Sequence, residues 1–151
     1  MREIINLLEK NLKYDGYNIE ADKIHIQVKS KRKVLNCPIC REKSKKVHSR
    51  YKRTVQDLPI GDKKVYIEIT SRKMICGNRK CSRKTFAESY EFVGAKGVKT
   101  KRLEAEIVSV GVNMGSQAAS RVLNRSTVKI CGRTIRNLIK KTERTKSAER
   151  V

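Results

Sequence analysis

Apolar positions in the first fourteen residues recur at helical spacing. Ile4, Ile5, Leu7, Leu8 and Leu12 predict a short amphipathic helix over 2–14, broken by Asp15-Gly16. The period then shortens. Ile24-His25-Ile26-Gln27-Val28 alternates strictly, as a strand with one buried face does. The stretch 47–55 mixes β-branched and aromatic residues with bases, and 58–62 carries turn chemistry. Val65, Ile67 and Ile69 alternate with Tyr66, Glu68 and Thr70 in a second clear strand that runs on to Ile75. Beyond Phe86, Gly94 and Gly97 read as a linker. From Thr100 the pattern is helical again, with Leu103, Ile107, Val110 and Met114 at three- and four-residue steps. Ser116 is the expected N-cap of a second helix carrying Ala118, Ala119, Val122 and Leu123. A polar turn over 124–129 leads to a third helix from Gly132 to Lys141, with Ile135, Leu138 and Ile139 facing inward. The charged tail from Thr142 to Val151 is expected to fray, and no internal repeat or low-complexity segment is visible.

Composition changes this picture in two ways. Hydrophobic residues make up 38% of 151 and aromatics 5%, which is thin for one large core. Small modules with a poor core call for a staple, and a metal is one. The 37 Lys and Arg against 15 Asp and Glu leave a formal net charge of +22. A compact fold with that charge repels itself, and a phosphate backbone is the natural compensation because binding it releases condensed counterions. No apolar run approaches the roughly 18–20 residues of a membrane-spanning helix. The N-terminal apolar stretch is interrupted by charges, unlike a signal peptide. The expectation is a cytoplasmic, nucleoid-associated protein that meets double-stranded DNA and no membrane.

In a reducing compartment five cysteines are not a disulfide framework. Cys37-Pro38-Ile39-Cys40 and Cys76-Gly77-Asn78-Arg79-Lys80-Cys81 are two pairs, each at the end of a predicted strand or in a turn. Structural Zn2+ takes four tetrahedral thiolate or imidazole ligands, and two such loops can close on one ion as a zinc ribbon. The alternatives are four unrelated buried cysteines or a redox pair at Cys37 and Cys40. The latter is disfavoured because no βαβ unit surrounds the pair. Four cysteines fill the site, so His25 and His48 are not expected as ligands. Arg41 stands where a zinc knuckle often has Gly. Cys131 reads as a half-buried small residue at the entry to the third helix, with no base beside it to make a catalytic thiol.

The segment 116–141 holds two short helices of which the second is basic. In a helix-turn-helix the second helix enters the major groove. There Arg can pair with guanine and Asn with adenine. Arg133, Thr134, Arg136 and Asn137 are the expected base readers, with Lys140 and Arg121 alongside. Lys31, Arg32, Lys33, Lys45, Lys46, Arg50, Lys52 and Arg53 are expected phosphate contacts from the zinc module. The plainer alternative is a solvated basic face on an ordinary helical bundle.

The order Cys37-Pro38-x-Cys40, then Val47-His48-Ser49-Arg50-Tyr51-x-Arg53-Thr54-Val55-x-Asp57-Leu58-Pro59, then Cys76-x-Asn78-x-x-Cys81-x-Arg83-Lys84-x-Phe86-Ala87-Glu88, resembles the N-terminal part of the ISL-three family of bacterial insertion-sequence transposases. The resemblance is specific over 37–88 and looser over 100–141. It implies an α+β fold, a small zinc-ribbon-like β module followed by a three-helix helix-turn-helix module. The parts are an N-terminal helix and strand over 1–30 packing on the zinc module, the four-cysteine module over 31–92 and the helix-turn-helix module over 93–151. It also implies binding to the inverted repeats at an element's ends, with a full-length transposase or a second copy as further candidate partners. The family's chemistry belongs to a downstream domain with three carboxylates and two metal ions. Only Thr142 to Val151 follow the third helix here, so no catalytic residues and no enzyme activity are expected. Asp57 and Glu88 are not read as catalysts. A transcription regulator on the same scaffold and an RNA-binding zinc-ribbon protein are the alternative functions.

Overall fold

A computed structural model describes residues 1–149; Arg150 and Val151, the end of the tail expected to fray, lie outside the described residues. The protein is α+β. Helix α1 (Arg2–Leu8) is followed by strands β1 (Leu12–Glu20) and β2 (Lys23–Ser30). The short pair β3 (Leu35–Asn36) and β4 (Lys43–Ser44) comes next, then the long hairpin β5 (Val47–Ile60) and β6 (Lys63–Ile75), then β7 (Thr85–Ala87). Three helices close the chain, α2 (Lys101–Met114), α3 (Ser116–Ser126) and α4 (Gly132–Ala148). The main sheet has the order β1-β2-β6-β5, with β7 also on β6, while β3 and β4 form their own two-stranded sheet.

The sequence pattern explains the main sheet and also where its reading falls short. Ile24, Ile26 and Val28 lie in parallel register with Val65, Ile67 and Ile69. They bury one face beneath Ile5 of α1 and Tyr90, Phe92 and Val93. The N-terminal segment is therefore part of the sheet, and the expected boundary near residue 30 runs between hydrogen-bonded strands. The helix over 2–14 ends at Leu8, because Leu12 begins β1 and pairs with Ser30. Asp15-Gly16 does not break the chain. The strand passes through it with an irregularity between Tyr14 and Gly16. Likewise 58–62 is mostly strand, and only Gly61-Asp62 turns, with Gly61 at φ +60°.

The glycine-containing stretch after Phe86 is packed rather than loose. Gln56 exchanges backbone hydrogen bonds with the Val98 carbonyl and the Thr100 amide, each at 2.9 Å. Arg53 donates to the carbonyls of Gly94 and Gly97, the latter at 2.7 Å. The helices share a second core of Leu103, Ile107, Ala119, Leu123, Val128, Ile130 and Ile135, onto which Leu58 of β5 packs. Gly111 permits the close approach of α4: a Cβ there would stand 2.6 Å from Ile135 Cγ2.

Three boundaries in this region are corrected. Gly115, at φ +80°, is the N-cap of α3, and Ser116 is its first helical residue. The turn 124–129 begins later, because α3 runs to Ser126 and Asn124 instead clamps the turn. Its side chain accepts from the Ile130 amide at 3.1 Å and donates to the Ile130 carbonyl at 2.6 Å. Helix α4 does not fray at Thr142 but continues to Ala148, with hydroxyls of Thr142, Thr145 and Ser147 donating to carbonyls one turn back.

The sheet and the helices are joined through Asp57, which is 2% exposed. Its carboxylate accepts from the Thr100 hydroxyl at 2.7 Å and from Arg102 Nε at 2.8 Å, with Arg102 Nη2 also in contact. Thr100 in turn caps α2 by accepting from the Leu103 amide at 3.2 Å. The ion pair raises the Arg102 pKa above its usual value. On the neighbouring strand position, the Gln56 amide donates to the Thr127 carbonyl in the α3–α4 turn at 3.2 Å.

Candidate metal centre and basic surfaces

The first cysteine pair sits on the tip of the β3–β4 hairpin. Cys37 donates its amide to the Glu42 carbonyl at 2.9 Å and accepts that of Arg41 at 3.0 Å, which closes a tight knuckle. Closing it puts Arg41 at φ +63°. The second pair lies between the end of β6 and β7, where the Cys76 amide donates to the Lys84 carbonyl at 2.8 Å and that of Cys81 to Asn78 at 3.1 Å. Ser44 Oγ donates to the Ile75 carbonyl at 2.6 Å, and the Ile75 amide to the Lys46 carbonyl at 2.9 Å, so the two loops are sewn together.

The result is one cluster. The sulfurs of Cys37, Cys40, Cys76 and Cys81 all lie within 4.8 Å of one another. Cys37 and Cys81 are 3.9 Å apart, Cys40 and Cys76 3.5 Å. A tetrahedron with sulfurs at the usual zinc–thiolate distance has edges of about 3.8 Å, so the donor set fits Zn2+. None of the cysteines is disulfide-bonded. Cys37, Cys76 and Cys81 are buried beside Leu35, Met74 and Phe86, and Cys40 is half-buried. The thiols interact strongly. The Cys40 backbone hydrogen bond, opposed by burial, leads the forces that bring Cys37 down to about 7. At Cys76 the Asn78 backbone pulls downward, but burial and the hydrogen bonds to Cys40, Cys37 and Cys81 push the pKa up to about 12. Four thiolates this close repel, and a divalent cation is what lets all four ionise together.

His25 and His48 are outside the cluster. His25 bonds Glu68 at 3.0 Å and stacks on Tyr66, and His48 is exposed beside Ser49. Cys131 is exposed rather than half-buried. It is the N-cap of α4, 3.3 Å from the Thr134 hydroxyl, whose hydrogen bond leads the lowering of its pKa.

A left-handed conformation costs a residue with a Cβ roughly 1–2 kcal/mol. Replacing Arg41 by Gly should therefore raise the stability of the zinc-loaded protein by about 1 kcal/mol in denaturant unfolding, with zinc affinity retained. A loss of stability would mean that the Arg41 side chain contributes more than its backbone strain costs.

Four cysteine sulfurs held by two loops at the end of a small sheet define a zinc-finger domain. Residues 33–81, about a third of the chain, match the family described as the zinc-finger of transposase IS204/IS1001/IS1096/IS1165. No curated protein and no solved structure matches the chain.

The expected basic contacts divide into two groups. Lys33, Lys45, Lys46, Arg50 and Lys52 are exposed. Lys31 is exposed and reaches Asn6 Oδ1 and the Lys10 carbonyl, each at 3.3 Å. Arg32 and Arg53 are turned inward. Arg32 lies by Glu9 and Glu88, contacts the Ser89 carbonyl and sits 5.6 Å above the Tyr90 ring. Arg53 serves the carbonyls of Gly94 and Gly97. On the helices Arg121, Arg133, Thr134, Arg136, Asn137 and Lys140 are all exposed. Of those on α4, Arg133, Asn137 and Lys140 lie opposite its buried Ile135, while Thr134 and Arg136 flank it.

Two buried acids hold structure that sequence reading left without a role. Asp57 makes the joint described above. Glu88, whose side chain is fully buried, pairs with Arg72 Nε at 2.9 Å and Nη2 at 3.0 Å, and this raises the Arg72 pKa above its usual value. Their signal was the acid standing next to apolar neighbours in Asp57-Leu58-Pro59 and Phe86-Ala87-Glu88. No helix among the described residues is long and apolar enough to cross a membrane.

Proposed function

We propose that this chain binds double-stranded DNA sequence-specifically, as the end-binding region of a transposase. In this reading α3 and α4 act as a helix-turn-helix and the zinc finger closes one end of the sheet to which they are joined. The observation that carries it is the exposed stripe of α4. Arg133, Asn137 and Lys140 recur at three- and four-residue steps on the face away from Ile135, with Arg136 flanking it. Such a stripe can enter the major groove and offer base-reading side chains along one line. The charge of +22 supplies the non-specific attraction. The transposase name of the matched zinc finger favours element-end repeats as the target. Of the phosphate contacts, Lys31, Lys33, Lys45, Lys46, Arg50 and Lys52 stay in the proposed set, and Arg32 and Arg53 leave it because their guanidiniums serve the fold. The acids buried among the described residues, Glu9, Asp57 and Glu88, are occupied by the Glu91 amide, Arg102 and Arg72, which favours a binding role over catalysis.

Base and phosphate contacts respond differently to substitution. Arg136→Ala and Asn137→Ala should each reduce the preference for the cognate duplex over a scrambled one by about 1–3 kcal/mol and relax it at particular positions. Lys45→Ala should weaken both duplexes alike. Competition binding at fixed salt distinguishes these outcomes. Equal weakening of both duplexes by the α4 substitutions would sink the recognition-helix reading.

A further inference from the structure

The main sheet has a second face, opposite the apolar one, whose side chains are largely polar and half-buried or exposed. Across it the strand register sets Asn18, His25, Tyr66 and Gln56 in one row, and Lys13, Lys29, Thr70 and Lys52 in another. One step further along the β5–β6 ladder, Arg50 lies directly opposite Arg72. Like charges facing each other on a ladder are destabilising. The chain makes this pair and adds Lys29 beside it: Lys29, Ser30, Arg50, Thr70 and Arg72 line a single cavity of about 160 Å³.

The two guanidiniums differ in their partners. Arg72 is locked from behind, with Nε and Nη2 on Glu88 and Nη2 also on the Arg32 carbonyl at 2.7 Å. Its Nη1 has no hydrogen-bond partner among the described residues. Arg50 is exposed and enters no ion pair among them. Lys29 is held by Asp15 at 2.9 Å. Glu88 thus answers one of three positive charges and Asp15 another. A preorganised guanidinium, a free one, an ammonium and a hydroxyl around one small cavity form the donor set that a tetrahedral oxyanion uses.

We propose that Arg50, Arg72, Lys29 and Thr70 form a seat for a phosphate group on this polar face of the sheet. The phosphate is a backbone phosphodiester of the bound nucleic acid, an assignment that rests on the DNA-binding reading above. Gln56, on the same face, bonds the α3–α4 turn, so the seat and the helices belong to one continuous framework. The seat fixes the register of the duplex and α4 reads it.

The test uses the full zinc-loaded chain and the variants Arg50→Gln, Lys29→Gln and, as an equal change of charge in an exposed loop, Lys96→Gln. Arg72 is left intact because its loss would strand the buried Glu88. Duplex affinity is measured against salt, and the thermal midpoint is measured against inorganic phosphate, with chloride at matched ionic strength as the blank. The seat predicts that Arg50→Gln lowers the slope of log affinity on log salt by about 1, and that Lys96→Gln leaves it unchanged. It also predicts that phosphate raises the wild-type midpoint and raises that of Arg50→Gln less. Arg50-dependent stabilisation with an unchanged duplex slope would overturn the phosphodiester assignment in favour of free phosphate. No Arg50 dependence in either measurement would overturn the seat itself. Absence of duplex binding by the wild type would count against the DNA reading alone, since the phosphate titration still decides the seat.

Discussion

Cys76→Ser should cost the protein its zinc under mild chelation. Structural zinc in small finger domains is bound with about 10–16 kcal/mol, so one ligand of four accounts for roughly 3–4 kcal/mol, a loss of affinity of about a hundred- to a thousand-fold. The consequence for the fold is local. The cluster around the cysteines contains Leu35, Met74 and Phe86 and little else that is large and apolar. The core under β2 and β6 is separate and contains no cysteine. Amide exchange should therefore accelerate over 33–46 and 76–87 and stay slow at Ile67 and Ile69. Chelator competition reads the affinity, and hydrogen exchange reads the locality. Retention of one zinc by Cys76→Ser at wild-type affinity would contradict the four-cysteine site.

The second large effect belongs to Asp57. In Asp57→Ala the hydroxyl of Thr100, fully buried, loses its acceptor, and Arg102 loses its only carboxylate among the described residues. A buried donor left without a partner costs about 1–3 kcal/mol. The Arg102 side chain is 44% exposed and can turn to water, so the ion pair adds less than a fully buried one would. The expected destabilisation is about 2–3 kcal/mol, read from the shift of the denaturant midpoint. Its distinctive sign is positional. The first turn of α2, capped by Thr100, should lose exchange protection before α4 does. A variant that weakens the whole chain uniformly, or not at all, would show that Asp57 is not the joint between sheet and helices.

Much of the metal site was legible because its information is local. Paired cysteines at short spacing, each beside a strand, announce a ligand set without knowledge of the fold, and the strict alternation at 24–28 and 65–69 announces the sheet's buried face. What could not be read is what depends on distant partners. Nothing local tells that β2 lies parallel to β6, so the first thirty residues looked like an addition to the sheet. Periodicity carried the first helix too far because Leu12 is apolar for the sake of β1. Arg32 and Arg53 stand in basic runs and looked like phosphate contacts, yet the fold supplies acids and carbonyls from 41 to 57 residues away. Arg72 escaped notice for the converse reason, since the carboxylate that orders it, Glu88, and the arginine that faces it, Arg50, meet only in the folded sheet.

The central claim, that α4 reads duplex sequence while the sheet to which the helices are joined holds it in place, is tested most directly by selecting bound duplexes from a random pool with zinc present at moderate salt. The account predicts recovery of one motif whose enrichment disappears when Arg136 and Asn137 are replaced together. Binding without any motif, falling away steeply as salt rises, would contradict it and leave the charge acting alone.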